Sequence, residues 1–373
     1  MSRIDPTLEL LKELCLTPAP SGMEDRIRDI VRRELKSCVD RIDISPLGDL
    51  IAFKKGTGSG NPRILIDAHA DEIGCLVRYI DNNGFVRLQP TGYFDTKATL
   101  AQAMTVWTAN GPVEGIVGAK YPILETATGG AERVPPFDDL FLDIGVKSKA
   151  EAESLGVQIG DQITFSRRFS ITGGGKKCMG TALDDRAGVC VLIEAMKSLC
   201  KGPIEADVYA SFNAQEETTI GRHAALCARI VNPQIAIELG VFLAADIPGV
   251  RDDLVISRQG DGVVITLHER STEDPFAGYV CHPKLLELFR KVCHEHKIKH
   301  QIQPSTVYVL SGVPFIRLVH GGIPSIAVSL PIRYGHTPYE LMDIDDFVSC
   351  RTLVEAVLPC MDSEFVNKKL PLE

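Results

Sequence analysis

The chain has 373 residues and a formal net charge of −9, with 45% hydrophobic and 6% aromatic residues. This length favours two or more domains, and the composition fits a globular protein that buries a large core. The negative charge argues against binding to nucleic acid, because no basic stripe compensates it. No run of 18 apolar residues predicts a membrane span.

The cysteines and the N-terminus predict a cytoplasmic location. Eleven cysteines form no CxxC pair, and they stand in apolar contexts such as Cys190, Cys200 and Cys293. This pattern indicates reduced, buried side chains. It does not indicate disulfides or a zinc ribbon. The first residues also lack the basic and then apolar pattern of a signal peptide.

The first predicted element is an amphipathic helix over about residues 22–38. Ser21 and Glu24 have the spacing of a capping box. The apolar residues that follow recur at helical spacing: Ile27, Ile30, Val31 and Leu35. A strand over residues 63–67 comes next, and the chain reaches His69 just after it.

From about residue 76 to residue 172 the pattern changes to short strands separated by turn signals, with one short helix opened by Ser148. This predicts a small β-rich barrel or sandwich. The turn signals are residues 82–84, 110–112 and 128–130.

After the glycines at 173–175, strands again alternate with helices as far as about residue 358. We therefore expect an α/β fold, in which a mixed, mostly parallel sheet carries helices on both faces and is interrupted by the β-rich insert. The expected domains are a catalytic domain, residues 1–75 and 173–373, and the inserted domain, residues 76–172.

Five short segments rich in Asp, Glu and His end or follow strand-like runs, except that Asp184 opens a helix. They are residues 67–71, 183–185, 215–217, 237–238 and 334–336. The carboxyl edge of a mostly parallel sheet is where α/β proteins place their chemistry. These segments are therefore candidates for one site.

Taken singly, several of these residues have structural explanations. His69 and Asp71 form a triplet that is common by chance, Asp184 suits a helix N-cap, and His336 is a lone loop histidine. Glu216 and its neighbour Glu217 are harder to explain, because adjacent acids gain from burial only when cations share their charge.

Taken together, the segments predict a metal site. In strand geometry, residues i and i+2 point to the same side, so His69 can bind a metal while Asp71 holds its other ring nitrogen. Nitrogen and oxygen ligands without thiolate suit zinc, cobalt or manganese. A carboxylate that bridges two ions is the usual two-metal arrangement, and it leaves another carboxylate free to act as a base.

The order of these motifs resembles metallopeptidase family 42, the TET or glutamyl/leucyl aminopeptidase group, whose members are tetrahedral, dodecamer-forming dinuclear enzymes and are in some cases called endoglucanases. The resemblance implies a zinc-exopeptidase-like fold. It covers nearly the whole chain and is carried by residues 20–24, 68–74, 182–188, 215–217 and 333–340, and in the insert by residues 141–145 and 155–161.

The resemblance implies two divalent metal ions per subunit, zinc or cobalt first and manganese third. Asp184 would bridge the ions, His69 and Glu238 would complete one site, and Glu217 and His336 would complete the other.

The implied reaction is removal of the N-terminal residue from a short peptide. Glu216 would act as the general base, and Asp71 would hold the ring nitrogen of His69 that does not bind the metal. Members of the family assemble as hollow tetrahedral dodecamers through the inserted domain, so self-association, as such a dodecamer or as dimers of this chain, is the expected partnership.

Three positions depart from the family pattern. Glu238 stands where an Asp is usual, residues 218–222 replace the usual Val-Gly-Leu-Arg-Gly, and residues 311–314 replace a Gly-Thr-Asp-Ala segment. Altered specificity is therefore expected. The alternatives are hydrolysis of another amide, hydrolysis of a glycan, and a metal-binding scaffold without turnover. The histidines disfavour only the glycan, because glycosidases use a spaced pair of carboxylates and need no histidine ligands. The presence of Glu216 disfavours the scaffold.

Overall fold

The computed structural model describes residues 5–58, 60–120, 134–270, 278–304 and 311–372. The helices are α1 (Pro6–Leu16), α2 (Asp25–Leu35), α3 (Thr96–Thr99), α4 (Lys149–Ser154), α5 (Leu183–Ser198), α6 (Glu216–Thr219), α7 (Arg222–Val231), α8 (Pro283–Glu295), α9 (Val313–Ile316) and α10 (Ile344–Val357). The strands are β1 (Arg41–Ile44), β2 (Leu50–Lys54), β3 (Arg63–His69), β4 (Gly74–Ile80), β5 (Val86–Thr91), β6 (Ala103–Thr108), β7 (Gly111–Gly118), β8 (Phe141–Asp143), β9 (Gln162–Phe165), β10 (Phe169–Thr172), β11 (Lys177–Gly180), β12 (Asp207–Asn213), β13 (Ile235–Leu243), β14 (Val263–Thr266), β15 (His268–Arg270), β16 (Gly278–Val280), β17 (His300–Gln303), β18 (Ser325–Arg333) and β19 (Glu340–Asp343).

A large mixed sheet forms the centre of the α/β fold, as predicted. Its strand order is β1-β2-β12-β3-β13-β18-β19-β11-β10, and β14 and β17 extend it from β18. The central strands β12, β3, β13 and β18 are parallel to one another. The strands that flank them along this order pair antiparallel, and β14 and β17 form a further parallel pair beside β18.

Helices cover both faces of this sheet, which confirms the second part of the expectation. Successive side chains of a strand point to opposite faces. In β3, Ile64 and Ile66 pack in one core cluster with residues of α1, α5 and α10, whereas Leu65 packs in another with residues of α7 and α9. The unbroken apolar run of this strand is therefore buried on both sides.

The insert is a closed barrel with the strand order β4-β5-β8-β7-β6-β9 and an apolar core of its own. Two predicted turns, at residues 82–84 and 110–112, join β4 to β5 and β6 to β7. The third, at residues 128–130, lies outside the described residues. Strand β10 falls within the expected insert but pairs with β11 of the large sheet. The division into a catalytic and an inserted domain stays a prediction.

The N-terminal region differs from the sequence-based expectation. Helix α1 was not predicted, and α2 begins at Asp25. All four apolar residues of the predicted helical face are buried. The capping box is wrong, because the hydroxyl of Ser21 donates to Asp71 Oδ2 (2.6 Å) and Glu24 takes the N-cap position without a side-chain cap.

All eleven cysteines are free thiols, and eight of them are buried, as expected for small apolar side chains. Cys200 is an exception, since it lies beyond the end of α5 and is exposed. Within the described part of the chain, none of the helices combines the length and the apolar character that crossing a membrane requires.

Candidate metal centre

The sheet brings the predicted segments together at the carboxyl edge of its parallel strands. His69 is the last residue of β3, and the register pairs it with Asn213, the last residue of β12. The chain then turns into α6, which begins with Glu216 and Glu217. An imidazole and two carboxylates therefore meet at adjacent strand ends, where α/β folds place their sites.

Asp184 lies between two imidazoles. Its Oδ1 is 3.0 Å from His69 Nε2, and its Oδ2 is 3.3 Å from His336 Nε2. The same His336 atom is 3.3 Å from Glu217 Oε2. His69, Asp184 and Glu217 offer ligand atoms that all lie within 4.8 Å of one another. Each oxygen of one carboxylate thus faces a different histidine, as a carboxylate shared by two cations requires.

The electrostatics of this cluster fit divalent cations. Burial raises the pKa of Glu216 to about 7 and that of Glu217 well above its ordinary value. Burial opposes protonation of His336, but Glu217 and Asp184 outweigh it and raise its pKa to about 10. Buried carboxylates are costly unless cations share their charge. Zinc, cobalt and manganese accept this set of nitrogen and oxygen donors.

Asp71 contacts both the ring of His69 and the start of α6. It is fully buried, and its Oδ1 lies 3.4 Å from His69 Nδ1. It also accepts hydrogen bonds from the backbone amides of Glu216 (2.9 Å) and Glu217 (3.2 Å). Asp71 therefore lies where the sequence placed it, beside His69, and in addition fixes the start of the helix that carries both glutamates.

Glu216 lines a cavity of about 890 Å³ together with His69, Asp184, Glu217, Glu238 and His336. Its carboxylate takes part in no hydrogen bond with any residue that the structure describes. A carboxyl group that is free to exchange its proton and has a pKa close to neutral is suited to general acid and base chemistry.

Glu238 lies apart from the other candidate ligands. It is level with Asp67 of β3 in the register of the sheet, and its Oε1 accepts a hydrogen bond from the amide of Gly312. Its Oε2 is buried and has no hydrogen-bond partner. Glu238 reaches the cavity, but it is not part of the close group of His69, Asp184 and Glu217.

Two residues that contact the site were not predicted as part of it. Glu340 is buried and accepts hydrogen bonds from the amides of Asp184 (2.9 Å) and His336 (3.0 Å). The carbonyl oxygen of Tyr93, which follows β5 of the barrel, lies 3.2 Å from His336 Nδ1. Glu340 closes the segment 333–340, so its charge beside a candidate ligand was a usable signal, whereas Tyr93 offered none.

Replacing Glu340 with glutamine is expected to weaken divalent metal binding about 10–100-fold. The amide nitrogen of glutamine cannot accept a hydrogen bond, so one of the two candidate ligand backbones loses its anchor. Competition with a chromogenic chelator measures the change. The matched control is Glu295→Gln at the exposed end of α8, and equal metal affinities in the two variants contradict this role for Glu340.

The two loop segments that depart from the family pattern contact each other beside the cavity. Gly221 has φ +63°, and a Cβ atom there would lie 2.3 Å from the Cα of Gly312. Such a contact is too short for any other residue. The segment 311–314 also binds two acidic side chains. Gly312 donates a hydrogen bond to Glu238, and Ser311 donates hydrogen bonds to Glu269.

Comparisons with known proteins agree with this arrangement. The model of the M42 glutamyl aminopeptidase family matches residues 48–353. A lysyl aminopeptidase from Pyrococcus furiosus is 30% identical over 94% of this chain and 96% of its own length. An aminopeptidase structure from the archaeon Desulfurococcus kamchatkensis superposes with a TM-score of 0.91 at 30% identity, covering 98% of each chain.

The TET1 peptidase of Pyrococcus horikoshii, which can assemble into a tetrahedron or a large octahedral shell, matches with a TM-score of 0.80 at 30% identity, over 94% of this chain and 98% of that one. The residues matched by the family model, 48–353, span the barrel and every segment of the candidate metal centre. The chain belongs to the M42 glutamyl aminopeptidase family.

Proposed function

We propose that the protein is an aminopeptidase that uses two divalent cations to remove the N-terminal residue of short peptides. The position of Asp184 carries this proposal, because its two carboxylate oxygens face His69 and His336 separately. Zinc and cobalt suit the donors best, with manganese as the third candidate.

His69, Asp184, Glu217, Glu238 and His336 would hold the two cations, which would lower the pKa of a bound water and polarise the scissile carbonyl. Glu216 takes a proton from the attacking water and delivers it to the nitrogen of the leaving peptide. Asp71 holds Glu216 in place through the backbone amide. The acidic groups around the cluster also favour the charged α-amine of a peptide over a neutral blocked end.

We further propose that the protein assembles with copies of itself in the cytoplasm, either as a tetrahedral dodecamer or as dimers of this chain. The match to the TET1 peptidase, which covers 94% of this chain, supports this proposal. We assign residues 1–75 and 173–373 to catalysis and the insert, residues 76–172, to assembly. The free thiols fit a reducing compartment.

Hydrolysis of a panel of aminoacyl and short-peptide substrates by the metal-reconstituted protein tests this function. Glucan and acyl-amino-acid substrates serve as controls for the two rival hydrolases. We expect activity on free N-termini only, with loss of activity after chelation and recovery with zinc or cobalt. Activity confined to the controls overturns the peptidase assignment, and no activity on any substrate favours a scaffold.

Glu238→Ala is expected to lower the metal content from two ions to about one per chain. The buried Oε2 of Glu238 has no hydrogen-bond partner, which supports a role as ligand. Metal counting by mass spectrometry measures the effect. The matched control is Glu238→Asp, the residue usual in the family, which should keep both ions. A full complement in Glu238→Ala removes this residue from the ligand set.

A further inference from the structure

A second buried acid lies in the wall of the cavity that contains the candidate metal centre. Glu269, in β15, is 3% exposed. Its Oε2 accepts hydrogen bonds from the amide (3.1 Å) and the hydroxyl (2.9 Å) of Ser311. Neither the metal centre nor the general base uses this carboxylate.

The described lining of this cavity offers Glu269 no cation. It contains neither Lys nor Arg, and its histidines, His69 and His336, face Asp184. Burial raises the pKa of Glu269 to about 7. A buried carboxylate with neutral partners only is costly to ionise, and such groups are frequent in binding sites.

The cavity wall formed by β13 is mostly apolar. It includes Phe242, which lies on the same face of β13 as Glu238, and Ile220 adds to it from the end of α6. A lysine or arginine side chain suits such a surface, because its methylene stem packs against apolar groups while its charged head reaches a carboxylate. An acidic side chain would instead bring a third carboxylate beside Glu238 and Glu269.

We propose that Glu269 makes this enzyme select peptides whose N-terminal residue is cationic, lysine or arginine. The side chain of that residue lies along the apolar wall, and its charged head pairs with Glu269. The segment at 311–314, which departs from the family pattern, fixes the carboxylate through Ser311. This inference rests on the proposed aminopeptidase function and adds the substrate class.

Paired lysyl and norleucyl p-nitroanilides test the proposal, since norleucine has the aliphatic stem of lysine without the ammonium group. We expect the wild-type enzyme to have the higher kcat/KM on the lysyl substrate. We expect a lysyl to norleucyl ratio of kcat/KM of about 10–100, which corresponds to one charged hydrogen bond in a desolvated site. Glu269→Gln keeps the size of the side chain and is expected to lower the lysyl to norleucyl ratio by that factor. Glutamyl p-nitroanilide should be the poorest of the three substrates.

The outcomes separate this inference from the proposed function. Norleucyl hydrolysis without a lysyl preference overturns the inference and leaves the peptidase intact, whereas hydrolysis of no aminoacyl substrate overturns the peptidase. An equal loss on both substrates in Glu269→Gln would mean that Glu269 binds the α-amine, and it also overturns the inference. The exposed Glu295→Gln serves as the matched control.

Calorimetric binding of free L-lysine and L-norleucine gives a readout that needs no turnover. We expect tighter binding of lysine to the metal-loaded wild-type protein and loss of that difference in Glu269→Gln. Equal affinities of the wild-type protein for the two amino acids overturn the proposal.

Discussion

Replacing Glu216 with glutamine is expected to lower kcat by about 10²–10⁴-fold while both metal ions and the assembly remain. Glutamine has the size of glutamate, but its amide cannot take a proton from water. The backbone amide that Asp71 holds is unchanged, so the fold of α6 should persist. Steady-state kinetics, metal counting and light scattering measure the three quantities on one preparation.

The three measurements together decide whether Glu216 is a general base or a metal ligand. A fall in kcat together with a loss of metal would mean that the residue is a ligand and not a base. Unchanged hydrolysis refutes the assignment altogether. Glu295→Gln, an exposed glutamate of α8, is the control for the loss of one acidic group.

Glu72→Ala is expected to lower the free energy of unfolding by about 3–5 kcal/mol. Glu72 is buried, accepts a hydrogen bond from the amide of Ala19 and pairs with both Arg167 and Arg186. Arg186 has no exposed surface, so removal of its acidic partner leaves a buried, unpaired charge. Urea denaturation at fixed protein concentration gives the change.

Glu72→Gln separates charge from volume at this position. It keeps the packing and part of the hydrogen bonding, so a smaller loss of stability than in Glu72→Ala is expected. The exposed pair of Arg251 and Asp253 provides a reference, because breaking a surface ion pair costs about 0–1 kcal/mol. A loss of that size in Glu72→Ala contradicts the structural role of the buried pair.

Local patterns were sufficient for the scaffold of the site. The apolar residues 64–66 predicted the strand that ends at His69, and the carboxyl-edge rule predicted that the acids after neighbouring strands would meet. Both inferences rely on short-range periodicity and on sheet geometry that all α/β proteins share. The β-rich character of the insert was visible in the same way, from turn signals between short strands.

Individual hydrogen bonds between distant parts of the chain were not predictable. The predicted capping box does not form, because the hydroxyl of Ser21 donates a hydrogen bond to Asp71, 50 residues away in the sequence. Glu340 reaches Asp184 across 156 residues, and Tyr93 reaches His336 across 243. No local signal distinguishes a serine or a carbonyl that finds such a partner from one that faces water. The side-chain direction of Glu238, toward Gly312, also depends on the folded loop.

The contact between Tyr93 and His336 makes the barrel part of the chemistry. A carbonyl oxygen can only accept, so the proton of a neutral His336 ring resides on Nδ1 and the lone pair of Nε2 is left for a cation. The tautomer of His336 is thus set by a backbone group that directly follows β5 of the barrel. Excising the barrel together with the segment that carries Tyr93 would therefore remove the acceptor that orients the His336 ring.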